Sequence, residues 1–129
     1  MLANFSDGSG LSRENHLTVT MLTDILRRAV RSEDGLWPIS SGLAVAGVNG
    51  TLRNRFATPE TSGAAGWLRG KTGTLNYVSS LAGFVQSRSG RVLVYASIGN
   101  EATSSYDAGT QIDQIIAAAA DCGCPGDDR

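Results

Sequence analysis

Apolar residues recur along this chain at two different spacings. Met21, Leu22, Ile25, Leu26, Ala29 and Val30 fall at i, i+1, i+4, i+5, i+8 and i+9. That is one stripe of an α-helix, predicted over about Val19 to Val30. Thr18 or Thr20 suits its N-cap, and Arg27, Arg28 and Arg31 suit the negative end of its dipole. Ser32 to Gly50 carries five of the glycines and prolines that interrupt regular structure and reads as a long connection. Thr51 to Phe56 reads as a short helical turn and Thr58 to Gly66 as loop. From Trp67 the period shortens. Trp67 to Thr74, Tyr77 to Ser87 and Arg91 to Ile98 are predicted strands, the last with bulk on both faces and so covered on both. Ser87-Arg88-Ser89-Gly90 reads as a hairpin loop. Ile112, Ile115, Ile116 and Ala119 mark one face of a closing helix over Ala102 to Asp121, stopped by Gly123. Asp7-Gly8-Ser9-Gly10, near the start, is a turn. The order predicts an α+β fold: a three-stranded antiparallel meander flanked by an N-side and a C-terminal helix layered on one side.

Composition narrows the function. The 129 residues suit one domain, and 41% hydrophobic with 18% charged residues fits neither a disordered tail nor a membrane span. No apolar run approaches the about 20 residues of a membrane helix. Eleven basic against twelve acidic residues leave no basic surface for nucleic acid. A zinc site draws about four ligands from Cys, His and carboxylates. Here His16 lies at one end and Cys122 and Cys124 at the other, so no metal is expected. A bridge across Cys-Gly-Cys is strained, and free or externally paired thiols are expected there. Met1 to Ser6 has no charged leader and no apolar core, so no signal peptide is expected in this chain.

The stretch with chemistry is Arg69-Gly70-Lys71-Thr72-Gly73-Thr74. A phosphate loop would need glycine at position 65, which is Ala65, and a helix after it, which Thr72-Gly73-Thr74 opposes. The other reading is Lys-Thr-Gly on an edge strand, one of the motifs of penicillin-binding proteins and serine β-lactamases. A substrate ending in D-Ala-D-Ala would then lie along the strand as an added antiparallel partner. Lys71 would supply positive potential for its carboxylate and for proton movement. The hydroxyls of Thr72 and Thr74 would donate to that carboxylate, and Gly73 would leave the approach open. Thr74 also reads as an ordinary strand-surface residue.

Other candidates have plainer explanations. Ser9 sits between glycines, but Asp7 and Leu11 occupy the outer positions where a nucleophile elbow needs glycine. Asp7 closes its own turn. His16 reads as a solvated surface residue, and Arg53 and Arg55 as the solvated face of a short helix. Trp67 and Tyr77 read as sheet-packing residues.

Four segments occur in order: Asp7-Gly8-Ser9-Gly10-Leu11-Ser12-Arg13, Val45-Ala46-Gly47-Val48-Asn49-Gly50-Thr51-Leu52, Gly70-Lys71-Thr72-Gly73-Thr74-Leu75 and Val78-Ser79-Ser80-Leu81-Ala82-Gly83. Together they resemble the C-terminal part of the D-alanyl-D-alanine carboxypeptidase/endopeptidase family of class C low-molecular-mass penicillin-binding proteins. The Cys-Gly-Cys ending resembles actinobacterial members. The resemblance runs from Asp7 to Cys124 and implies the C-terminal portion of the penicillin-binding, serine β-lactamase-like transpeptidase fold over residues 1–124, with 125–129 as a tail. It implies a serine peptidase working through an acyl-enzyme on peptidoglycan stem peptides. It also implies catalytic work for Lys71 and substrate binding by Thr72, Gly73 and Thr74. No cofactor is implied, β-lactams would acylate the full-length enzyme, and the location would be the cell envelope outside the membrane, or secreted.

Two of the family's motifs are missing. The only lysine is Lys71, and Leu68 stands three residues before it, so no Ser-x-x-Lys exists. No asparagine follows a serine at the Ser-x-Asn spacing either. The chain is therefore expected to be inactive alone, and to leave one sheet edge unpaired. The rival reading is a stand-alone module that binds cell-wall peptides or a protein without catalysis.

Overall fold

A computed structural model describes residues 3–122. Helix α1 spans Val19–Val30, as the periodicity requires. The Thr18 hydroxyl accepts from the Met21 amide at 3.2 Å and starts it. Arg27 and Arg28 occupy its last turn, and Ser32, at φ 57°, turns the chain away. The stretch expected to be a plain connection carries more structure. A short helix α2 runs from Trp37–Gly42 with a proline in its first turn, and a two-residue strand β1 follows at Ala44–Val45. Two residues are too few to show a period, so β1 has no signature in the sequence.

Strands β2 (Leu68–Leu75), β3 (Val78–Gln86) and β4 (Val92–Gly99) form the expected meander. With β1 they make a four-stranded antiparallel sheet in the order β1-β2-β3-β4. The Ser87–Gly90 loop closes the second hairpin, with the Ser87 amide on the Arg91 carbonyl at 2.8 Å and Gly90 at φ 83°. Residues Leu93–Gly99 of β4 are all half-buried, so both of its faces are partly covered. Its outer edge has no strand partner among the described residues.

Register assigns the two faces of the sheet. Leu68 pairs with Val85 and Thr72 with Leu81, so Leu68, Leu81 and Val85 share one face. That face carries the core, with Leu52, Phe56, Ala64, Ile112 and Ile116 packed on it. Each fully buried leucine there contributes about 1.5–3 kcal/mol. Lys71, Ser80, Ala82 and Ile98 lie on the other face, where α1 packs against β3 and β4. The helices therefore flank the sheet on both sides, not on one as expected.

Helix α3 spans Ser105–Asp121, three residues later than predicted at its start. Ser104 caps it, accepting from the Asp107 amide at 3.1 Å. Its buried face is Gly109, Ile112, Asp113, Ile116, Ala117 and Ala120, which is rotated from the predicted one. Ile115, assigned inward from the sequence, is 66% exposed. The rotation goes with Arg55, which is half-buried rather than on a solvated face. It grips the buried Asp113 carboxylate through two nitrogens, at 3.0 and 2.5 Å, and donates to the Gly109 carbonyl at 3.1 Å. A polar residue thus takes a place on the core face that a hydrophobic count leaves outside.

Cys122, just past α3, is disulfide-bonded rather than free. Gly123, Cys124 and the tail lie outside the described residues.

Candidate functional site

The two halves of β2 have different neighbours. Ala44 pairs with Gly70 and Val45 with Arg69, and β1 reaches no further along β2. The Ala46 amide donates to the Leu68 carbonyl at 3.0 Å, so the Leu68 backbone groups point toward β1. Backbone direction alternates along a strand. Gly70, Thr72 and Thr74 therefore present N–H and C=O away from β3, and from Lys71 onward no strand answers them among the described residues. The Lys-Thr-Gly motif begins where this free edge begins.

A row of residues across the sheet braces the start of the edge. Tyr95 pairs with Gly83, and Gly83 with Gly70. A side chain at Gly83 would strike the Arg69 carbonyl and the Gly70 Cα, and one at Gly70 would stand 2.6 Å from the Tyr95 hydroxyl. With both positions bare, Tyr95 lies over the strands and donates to the Arg69 carbonyl at 3.0 Å. Burial pushes the Tyr95 hydroxyl well above the usual phenol range, so it stays a proton donor.

The motif residues follow in register. Lys71 is exposed, and its Nζ donates to the Thr72 carbonyl at 2.7 Å. The Thr72 Oγ1 donates to the Thr51 Oγ1 at 2.9 Å. Gly73 sits over Ser80, whose Oγ donates to the Gly73 carbonyl at 3.3 Å. A Cβ at Gly73 would meet that hydroxyl, so this glycine makes room for Ser80. Thr74 is exposed. Beyond it, the Ser105 Oγ donates to the Leu75 carbonyl at 3.0 Å and the Arg13 Nη2 to the Asn76 carbonyl at 2.9 Å. Tyr77 turns the hairpin at φ 65° and is 63% exposed, and Trp67 is 58% exposed, so neither packs the sheet as expected.

An open groove of about 1420 Å³ runs beside this edge, bounded by Gly8–Arg13, Leu22, Lys71–Leu75, Ser80 and Ile98. Its opposite wall is organised by Asp7. One carboxylate oxygen accepts from the Gly10 amide at 3.0 Å and Asn15 Nδ2 at 2.8 Å. The other accepts from the Ser12 amide at 2.9 Å and Ser9 Oγ at 3.0 Å. These bonds, that from Asn15 foremost, hold the Asp7 carboxyl down to about 2. Ser9 thus serves the turn, as the sequence suggests, and His16 is exposed, with its backbone bridged to Asn4. Among the described residues no three metal-ligating side chains come together, and no helix is long and apolar enough to cross a membrane.

Sequence reasoning found all four edge residues but missed Thr51, Ser80, Arg13 and Ser105. The Thr51 and Ser80 partners lie within segments that stood out in the sequence, but a one-dimensional reading gives them no contact.

Residues 2–122 match the D-Ala-D-Ala carboxypeptidase 3 (S13) family. The chain belongs to that family. It is similar to carboxypeptidase DacB of Mycolicibacterium smegmatis, 42% identical over 124 residues, which is 95% of this chain and 26% of that one. A carboxypeptidase of Mycobacterium tuberculosis is 46% identical over 98 residues, covering 74% of this chain and 21% of its own length. The fold superposes on penicillin-binding protein 4 of Haemophilus influenzae, solved with a β-lactam, at a TM-score of 0.79 and 25% identity over 91% of this chain and 28% of that one. This S13 chain thus spans about a quarter of the length of the relatives it matches.

Proposed function

We propose that this chain forms one wall of the active site of a serine-type D-Ala-D-Ala carboxypeptidase or endopeptidase acting on peptidoglycan stem peptides. The observation that supports it best is the free β2 edge at Lys71–Leu75, facing an open groove of about 1420 Å³. A peptide laid there antiparallel meets the outward N–H and C=O groups of Thr72 and Thr74. Lys71 is one displaced hydrogen bond away from the peptide's terminal carboxylate, and Thr74 offers a hydroxyl beside it. The acyl-enzyme needs a serine nucleophile activated by a base, and this polypeptide contains no Ser-x-x-Lys. By itself it therefore releases no D-alanine and is not acylated by β-lactams. The complete enzyme works outside the cytoplasmic membrane, where peptidoglycan is found.

The deciding test is the in-frame DNA upstream of the Met1 codon. Ser-x-x-Lys and Ser-x-Asn encoded there are the expected result, and the polypeptide spanning both parts then releases D-alanine from a D-Ala-D-Ala peptide. A stop codon and a ribosome-binding site directly upstream would overturn the enzyme reading and leave a peptide-binding module. Release of D-alanine by the 129-residue chain alone would overturn the claim that it is inactive.

A further inference from the structure

The turn between β2 and β3 holds a residue that such turns rarely use. Leu75 and Val78 pair across the hairpin, which leaves Asn76 and Tyr77 to reverse the chain. Tyr77 sits at φ 65°. That left-handed backbone suits glycine, asparagine or aspartate, and for a bulky aromatic residue it is an outlier. Neighbours hold it there. The Tyr77 carbonyl accepts from the Ala102 amide at 2.9 Å, and Arg13 Nη2 donates to the Asn76 carbonyl at 2.9 Å. The core does not need the ring, because Tyr77 is 63% exposed. The ring lines the same groove as Lys71–Leu75, together with Leu11 and Val19, which are also exposed. A strained backbone that holds an exposed aromatic ring at a groove costs stability and gains little from burial. Its use then lies in what the groove binds.

We propose that Tyr77 is a specificity-determining contact for the amino-terminal part of the stem peptide, upstream of the residue that precedes D-Ala-D-Ala. The inference deepens the substrate reading above and rests on it. A peptide antiparallel to β2, with its terminal carboxylate at Lys71 and Thr72, runs its amino end toward Leu75 and past it. Its last residue lies opposite Gly73. The residue before that lies opposite Thr74, whose outward N–H and C=O it meets. The third from the end lies opposite Leu75, and the next two reach Asn76 and Tyr77. A tyrosine ring there offers a flat apolar face to peptide planes and methyl groups. It has only two χ angles to fix, so little entropy is lost on contact. A peptide of three residues stops short of the ring and gains nothing from it.

The experiment titrates the isotope-labelled 129-residue chain with two probes and follows the amide shifts. The short probe is N-acetyl-L-lysyl-D-alanyl-D-alanine. The long probe is L-alanyl-γ-D-glutamyl-L-lysyl-D-alanyl-D-alanine. The wild type is expected to bind the long probe about fivefold tighter, the size of one aromatic contact. Tyr77→Gly should abolish that preference and leave the short probe within about twofold. Tyr77→Phe should keep the preference, because the ring makes the contact. Tyr77→Gly should also raise the urea midpoint, because glycine relieves the left-handed backbone. A preference lost from a more stable chain cannot come from unfolding. If Tyr77→Gly does not fold, Tyr77→Asn, which tolerates the same backbone, is read the same way. Equal affinity of the wild type for the two probes would overturn the proposal and leave the substrate reading standing. So would a preference that survives in Tyr77→Gly, or a lowered urea midpoint in that variant, which would make the ring structural. If neither probe binds the wild type, the substrate reading falls and the proposal falls with it.

Discussion

Strand β2 is two structures end to end. Leu68, Arg69 and Gly70 lie between β1 and β3, with Leu68 and Gly70 buried. Lys71 to Leu75 have β3 on one side only, and Lys71 and Thr74 are exposed. The first half is specified by packing: bare glycines, a tyrosine laid over them, a leucine in the core. The second half keeps its pairing with β3, and its other ties are single polar bonds: Thr72 donates to Thr51, Ser80 and Ser105 donate to the Gly73 and Leu75 carbonyls, and Arg13 holds Asn76 just beyond. An edge proposed to bind a peptide has to stay unsaturated, and the same strand can offer one because its neighbour half is packed on both sides. The polar partners come from four separate segments, and the free half keeps its shape with no strand on its outer side among the described residues.

Substitutions can test this contrast, and the buried half should respond most. Gly83→Val drives a side chain into the Arg69 carbonyl and Gly70 Cα, and no flexible neighbour can yield. The expected result is loss of about 4 kcal/mol or more, seen in denaturant titration as the absence of a folded baseline. Leu68→Ala, at a fully buried position, should cost about 3 kcal/mol and shift the urea midpoint without changing the slope. Asp113→Ala leaves the Arg55 guanidinium half-buried without its carboxylate, and a loss of about 2–3 kcal/mol is expected. Thr74→Val on the free half should change stability by less than about 0.5 kcal/mol. It should nevertheless weaken binding of a D-Ala-D-Ala peptide, and a stability loss equal to that of Leu68→Ala would erase the contrast between the halves.

The smallest effect concerns acid. The Asp7 carboxyl is held at about 2 in the fold against an ordinary 3.8. Its contribution is therefore fully present above about pH 4 and is lost as pH falls through 2. The amide signals of Gly10 and Ser12, which donate to Asp7, should shift together across that window. If they titrate instead near 4, the turn does not hold Asp7 as described.

Much of this was readable from residue spacing. The six-residue apolar stripe of α1, the three alternating strands and the Lys71–Thr74 motif are local patterns, and local patterns survive in one dimension. The larger failures were long-range. The α3 face was rotated because Arg55, 58 residues from Asp113 along the chain, makes that carboxylate a core residue. Strand β1 exists only because Gly70 and Arg69 are there to pair with it. Trp67 and Tyr77 read as sheet-packing residues, but Trp67 stands just before β2 and Tyr77 in the turn before β3, and both are exposed. Thr51 lies 21 residues from Thr72, and nothing in either local sequence announces the bond.

The alternating direction of the β2 backbone has a kinetic consequence. The Lys71 and Gly73 amides face β3, and the Thr72 and Thr74 amides face open water. In deuterated solvent the free half should therefore exchange as a two-letter code: slow at 71 and 73, with fast exchange at 72 and 74. A peptide docking on the edge would turn the fast positions slow and leave the others as they were. Protection that spreads to residues 72 and 74 together would thus report occupancy of the strand by a ligand, without any label on that ligand.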